Sequence, residues 1–277
     1  MNADDLPTLR EELEAHGLWA NKALGQHFLL DLNITRRIAR VAGDLAGKRV
    51  IEIGPGPGGL TRALLEAGAN LIVIEKDARF LPLLEPLADW SEGRLRIVHG
   101  DALEADEPVL LGDGEAAHVI SNLPYNVGTP LLVKWLKAGP WRGPMTLMFQ
   151  KEVAQRIVAK PGSDAYGRLA VLAQARCECR LAFTVPPRAF TPPPKIASAI
   201  VHLTDLPAPY PHLNAIERVT AAAFGQRRKM LRVALKALTP DAEALLTAAD
   251  ITPTARAEEI DQAGFRRLAD AWRALSA

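Results

Sequence analysis

An apolar run that breaks into glycines, Arg49-Val50-Ile51-Glu52-Ile53-Gly54-Pro55-Gly56-Pro57-Gly58-Gly59, sets what this chain can fold around. A buried strand that turns through glycines into a helix brings backbone amides close against a ligand. Gly54, Gly56 and Gly59 satisfy the spacing GxGxxG, which points to a nucleotide-containing ligand without choosing which one. Glu75 closes the next apolar run, 21 residues after Gly54. A carboxylate at that place accepts hydrogen bonds from a pair of ribose hydroxyls.

From residue 49 onward, short apolar runs alternate with helical patterns, the mark of a largely parallel sheet with crossover helices. Strands are expected at 49–54, 70–76, 95–101, 117–124, 145–150, 178–185 and 198–204, which is a doubly wound α/β sheet. Asp77 is expected to cap the helix after the second strand, with Pro82 and Pro86 making it short or irregular. The segment 205–211 carries three prolines and reads as a linker. Beyond it the pattern is helical, with helices expected at 213–224, 227–238, 241–249 and 265–275.

Hydrophobic residues make up 48% of the chain and charged residues 23%, which excludes disorder. No apolar run is long enough for a membrane span. The acidic start excludes an export signal, and two cysteines cannot staple a chain of 277 residues. Cys177 and Cys179 are expected to pack rather than ligate, and no metal site is expected. A cytoplasmic protein is the reading. The net charge of +1 hides a segregation: residues 134–195 hold eleven Lys/Arg against three acids, whereas residues 89–133 hold eight acids against two Arg. Arg227-Arg228-Lys229 starts a second basic cluster. Lys195 and these three are the candidate phosphate contacts for a polyanionic partner.

Asp101 ends the third strand, where an acceptor can meet an adenine amino group. Asn122-Leu123-Pro124-Tyr125 at the end of the fourth strand fits the N/D-P-P-Y class of tetrapeptide in enzymes that methylate exocyclic amines of nucleobases. Such an amine is a poor nucleophile because its lone pair is delocalised into the ring. The Asn122 side-chain oxygen and the Pro124 carbonyl are expected to accept its two hydrogens, which aims the lone pair at an electrophilic methyl. Tyr125 offers a ring on which an extruded base can stack.

With these motifs in hand, the sequence resembles the ribosomal RNA adenine N6-dimethyltransferase family, and within it the bacterial branch acting on small-subunit 16S rRNA. The resemblance spans nearly the whole chain. Besides the Gly54 loop and Asn122–Tyr125, it rests on Leu24-Gly25-Gln26-His27-Phe28-Leu29, Asn126-Val127-Gly128-Thr129-Pro130, Phe190-Thr191-Pro192-Pro193-Pro194-Lys195 and Phe224-Gly225-Gln226-Arg227-Arg228-Lys229.

The resemblance implies a Rossmann-like, seven-stranded class I methyltransferase sheet over 1–206, with an N-terminal extension at 1–20. A small all-helical RNA- and ribosome-binding domain would follow at 207–277. It implies S-adenosylmethionine as methyl donor, held by His27, Leu29, Gly54, Glu75, Asp101 and Asn122. Asn122, Leu123, Pro124, Tyr125 and Phe190 would be catalytic, Phe190 packing against the flipped base opposite Tyr125. The reaction implied is N6,N6-dimethylation of two adjacent adenosines near the 3′ end of 16S rRNA, by a monomer acting on a small-subunit assembly intermediate. Two positions depart from the family pattern: His27 replaces an Asn, and Ala197 stands where an Asp commonly follows the prolines. A large-subunit 23S rRNA methyltransferase, a non-catalytic nucleic-acid-binding relative and a nicotinamide oxidoreductase are the alternatives.

Overall fold

The computed structural model describes residues 6–18 and 27–275; Leu24, Gly25 and Gln26 of the first motif, and residues 1–5, 19 and 20 of the N-terminal extension, lie outside them. In chain order the strands are β1 (Phe28–Leu29), β2 (Arg49–Ile53), β3 (Asn70–Glu75), β4 (Leu95–His99), β5 (Ala117–Asn122), β6 (Arg142–Gln150), β7 (Cys177–Val185), β8 (Phe190–Thr191) and β9 (Ser198–Asp205). A seven-stranded sheet takes the order β4-β3-β2-β5-β6-β9-β7, with β1 and β8 forming a separate two-stranded ribbon.

Strands β4, β3, β2, β5 and β6 are mutually parallel, and β9 runs antiparallel to β6. Parallel central strands are covered on both faces, which is why they read as continuous apolar runs. Val50, Ile51, Val73, Val119 and Ile120 are buried accordingly. Strand order reverses between β2 and β5, so a crevice opens beyond their carboxyl ends. Gly54 follows β2 and Asn122 ends β5, one on each side of it.

The first helices are α1 (Leu9–Ala15), α2 (Leu32–Val41), α3 (Gly59–Glu66), α4 (Leu81–Trp90), α5 (Glu107–Leu111) and α6 (Gly128–Leu136). Thr8 and Glu11 form a reciprocal capping box that starts α1. Asp77 caps a 3-10 turn, Ala78–Phe80, rather than α4 itself. α4 runs for ten residues: Pro82 sits in the first turn where no amide is needed, whereas Pro86 lies inside the helix and leaves the carbonyl four residues back without its amide partner.

The chain gathers into two compact units, one formed by residues up to Ala154 together with Arg180–Thr204, the other by Gln155–Cys179 and the residues from Asp205 on. After α7 (Lys151–Ile157), the second unit contains α8 (Arg168–Arg176), α9 (Leu213–Gly225), α10 (Leu231–Ala234), α11 (Ala242–Ala248) and α12 (Gln262–Leu275). Its centre is aromatic: Phe224 stacks on Phe265 and meets the edge of Tyr166, whose hydroxyl donates to the Ile260 carbonyl at 2.9 Å.

Two expectations are corrected here. The proline-rich segment 205–211 is no loose linker, because Leu206 and Tyr210 each donate a backbone hydrogen bond to the end of α8, at Arg176 and Ala175. The continuous helix expected at 227–238 is broken. Met230 pairs with Arg256 as a bridge, and the amides of Leu231 and Arg232 donate to Ala255 and Pro253. Those amides are therefore not available to a helix running through from Arg227.

Candidate active site

A cavity of about 680 Å³ lies in the crevice at the carboxyl ends of β2, β3 and β5. His27, Leu29, Gly54, Glu75 and Asp101 line it, and so do Asn122 to Tyr125 and Phe190. Ten positions scattered over 160 residues of sequence thus meet around one space.

Gly54 turns the chain out of β2 with φ of +62°, a conformation that disfavours any side chain. A Cβ there would meet the Pro124 ring only at ordinary van der Waals distance, 3.5 Å, so it is the backbone angle that asks for glycine. The turn presents bare backbone to the cavity. On its flank Glu75 is buried, and its two oxygens accept the amides of Gly56 at 3.0 Å and Asp77 at 2.8 Å. Burial pushes its carboxyl above the usual range, partly offset by those amides. The Lys76 amide also favours the charged form, and the carboxylate keeps acceptor capacity for a hydroxyl. Asp101 lies two residues past β4 at the mouth. It accepts from the Lys76 ammonium at 2.7 Å and the Leu103 amide at 2.9 Å. The Lys76 contact leads in holding its carboxyl below the ordinary value.

Asn122 ends β5 half-buried, and no described residue hydrogen-bonds its side chain. Its amide is therefore free to meet a ligand. Tyr125 follows with its hydroxyl 2.7 Å from that of the buried Ser198 in β9. One expectation fails at this tip. The Pro124 carbonyl accepts from the amides of Val127 at 3.2 Å and Gly128 at 3.1 Å, the turn that starts α6. Both of its lone pairs are committed. The preceding carbonyl, that of Leu123, takes no part in this turn.

The opposite wall comes from the β1–β8 ribbon, where Leu29 faces Phe190 and Phe28 faces Thr191. His27 Nδ1 lies 2.8 Å from the Pro192 carbonyl, so that nitrogen carries the hydrogen and donates. Its ring stands 5.8 Å from that of Tyr125. The ribbon is held from behind. Arg62 of α3, almost fully buried, donates to the Pro7 carbonyl and faces Glu12 of α1 at 3.8 Å. Gly59 makes room for this packing: a Cβ there would stand 2.5 Å from the Leu29 carbonyl and 3.1 Å from Leu9.

The basic candidates behave differently from one another. Lys195 is exposed between β8 and β9, and Arg228 and Lys229 are exposed in the turn after α9. Arg227 instead donates to the Asp164 carbonyl at 2.8 Å and lies 4.0 Å from Glu258, a structural role inside the helical unit.

Sequence reasoning missed three residues. Glu52 lines the cavity from β2 with 1% exposure, receiving a hydrogen bond from Thr61 at 2.8 Å. Its signal was an acid inside an otherwise apolar run. Ser198 and Phe80 were also missed. Phe80 meets the Phe28 edge at 5.4 Å between ring centres, and neither residue carries a signature of its own. Among the described residues no helix is long and apolar enough to cross a membrane, and no cluster of metal-ligating side chains occurs.

Comparison with known proteins shows the family. The profile of the family described as ribosomal RNA adenine dimethylase matches residues 17–273. A ribosomal RNA small subunit methyltransferase A from Phenylobacterium zucineum is 64% identical over 277 residues, covering 99% of this chain and 95% of that protein. The protein of the same description from Paracoccus denitrificans is 58% identical, covering 96% of each. Among solved structures, a dimethyladenosine transferase from Plasmodium falciparum superposes with a TM-score of 0.74 at 25% identity, covering 87% of this chain and 96% of that one. The 23S rRNA methyltransferase ErmE superposes at 0.67 and 25% identity, covering 89% and 99%.

Proposed function

Because the chain belongs to the ribosomal RNA adenine dimethylase family, we propose that it dimethylates the N6 amines of two adjacent adenosines near the 3′ end of 16S rRNA. Its substrate is the small ribosomal subunit or an assembly intermediate of it, met by a monomer in the cytoplasm. The observation that carries this reading is the tip of β5: an unengaged Asn122 amide and the aromatic ring of Tyr125 open into the same cavity as the buried Glu75.

The residues present fit S-adenosylmethionine. A glycine cradle, a buried carboxylate with spare lone pairs and a mouth acid suit an amino-acid-bearing adenosine. That cofactor supplies an electrophilic methyl on a sulfonium when bound. Glu75 receives the ribose hydroxyls, Asp101 the adenine amino group, and Gly54 lets the backbone close on the methionine part. His27 and Leu29 cover the cofactor from the ribbon side.

Asn122 Oδ1 and the Leu123 carbonyl accept the two hydrogens of the target amine, which turns its lone pair toward the methyl. The gain is one of positioning and of polarising a weak nucleophile. Tyr125 and Phe190 hold the swung-out purine between them. No strong base is required before transfer, since the proton leaves only once the nitrogen has become cationic. Residues 207–277 serve as the helical RNA- and ribosome-binding domain, with Arg228 and Lys229 on phosphates, and Lys195, in the other unit, meets phosphate separately. Arg227 supports that surface from within.

The test is to incubate the protein with methyl-labelled S-adenosylmethionine and unmethylated small subunits, large subunits or free RNA. Label recovered as dimethyladenosine in small subunits alone is the expected result. Label in large-subunit RNA, or tight RNA binding with none transferred, overturns it.

A further inference from the structure

Of the four carboxylates that line the cavity, Glu52 and Asp77 have no part in the mechanism, and Asp77 is paired with Arg79. Glu52 is fully buried, and its sole hydrogen-bond partner among the described residues is the neutral Thr61 hydroxyl at 2.8 Å. No cation among the described residues pairs with it. The buried guanidinium on α3, Arg62, is directed instead to Pro7 and Glu12. On the neighbouring strand β3 stands a second carboxylate, Glu75, which accepts two amides. At the mouth the charges neutralise one another as the pairs Lys76–Asp101 and Arg79–Asp77, and His27 is tied to the Pro192 carbonyl.

A buried carboxylate with one neutral donor and a like charge nearby keeps its proton. Burial foremost, and Glu75 besides, push Glu52 up to about 8. In the free protein at neutral pH the cavity therefore holds a neutral acid where a cation is to come.

We infer that Glu52 is a proton-linked counter-charge: it gives its proton to solvent when a sulfonium occupies the cavity and recovers one from solvent when only the thioether remains. Binding free energy is thereby directed to the charged donor and withheld from its spent form, which favours release after transfer. The inference rests on the reading of this cavity as a sulfonium-donor site. The ionised carboxylate favours the cation, so donor affinity rises with pH, by at most about tenfold per unit, up to the pH at which free Glu52 titrates.

Calorimetric titration of the protein with S-adenosylmethionine and with S-adenosylhomocysteine, each at pH 7 in phosphate and in Tris, counts the protons exchanged. The two ligands share an amino-acid head, so its titration cancels between them. Wild-type protein is expected to release up to about one proton more with the donor than with the thioether. In Glu52→Gln that difference vanishes and the preference for donor over thioether falls by about tenfold or more. Equal proton counts for the two ligands in wild type, or an undiminished difference in Glu52→Gln, overturn the inference while leaving the donor site intact. Failure of both ligands to bind wild-type protein overturns the reading of the cavity itself, and the inference with it.

Discussion

The hydroxyls of Tyr125 and Ser198 lie 2.7 Å apart, which ties the aromatic ring after β5 to the buried start of β9. This bond sets the plane against which a purine stacks. Ser198→Ala and Tyr125→Phe should each lower single-turnover methyl transfer by roughly threefold to tenfold, the worth of one hydrogen bond. RNA affinity should change little. The double variant should be no slower than the slower single variant, because both remove the same contact. Multiplying defects would show that the bond does not position the ring.

Asn122→Ala removes the side-chain acceptor for the target amine. Turnover should fall by about a hundredfold or more, the usual cost of a preorganised transition-state partner. RNA affinity, measured by filter binding, should stay within about twofold. Near-normal turnover would mean that the amine is held by other groups.

Gly59→Ala puts a methyl group 2.5 Å from the Leu29 carbonyl. Backbone on one side and α3 on the other leave no flexible side chain to yield, so the β1 segment must move. A loss of about 1–3 kcal/mol in stability is expected, seen by thermal melting. Donor affinity should weaken as well, since Leu29 lines the cavity.

Replacing Arg228 and Lys229 together by Ala should weaken RNA binding and flatten its dependence on salt by up to about two units of log–log slope. Donor affinity should be untouched. Arg227→Ala should instead lower the melting temperature, because that side chain holds the Asp164 carbonyl. Identical behaviour of all three would contradict this division of labour.

Glu52 makes stability depend on pH with a definite sign. Its folded-state value, about 8, lies above the ordinary 4.5, so its stabilising contribution is whole below pH 4.5 and drains away as pH rises through 8. Glu52→Gln cannot ionise. Without donor it should melt several degrees above wild type at pH 8.5 and within about a degree of it at pH 5. A gap of equal size at both values would show that Glu52 does not titrate inside the fold.

Much of the site was legible because its residues sit at strand ends that local patterns reveal. Gly54, Glu75 and Asn122 each close an apolar run, and parallel pairing then brings those ends together. Asp101 follows the same rule two residues later. The ribbon was not legible: Phe28–Leu29 and Phe190–Thr191 are too short to show a period, and their pairing is a tertiary fact. Ser198 likewise takes its role from a hydroxyl 73 positions away. The Pro124 carbonyl was misassigned because sequence shows that a turn follows but not which carbonyl closes it. The break before α10 came from partners at 253–256, beyond the reach of helical propensity.

The wall of the cavity that joins His27 to Pro192 is stitched from segments 165 positions apart. During synthesis the early half leaves the exit tunnel long before its mate exists. Strands β2, β3, β4 and β5 are then already at hand, while the small molecule's chamber still stands open on one side. A nascent polypeptide that ends short of β8 owns the floor of that chamber and lacks its far wall, so grip on the nucleoside comes late in the making of the chain.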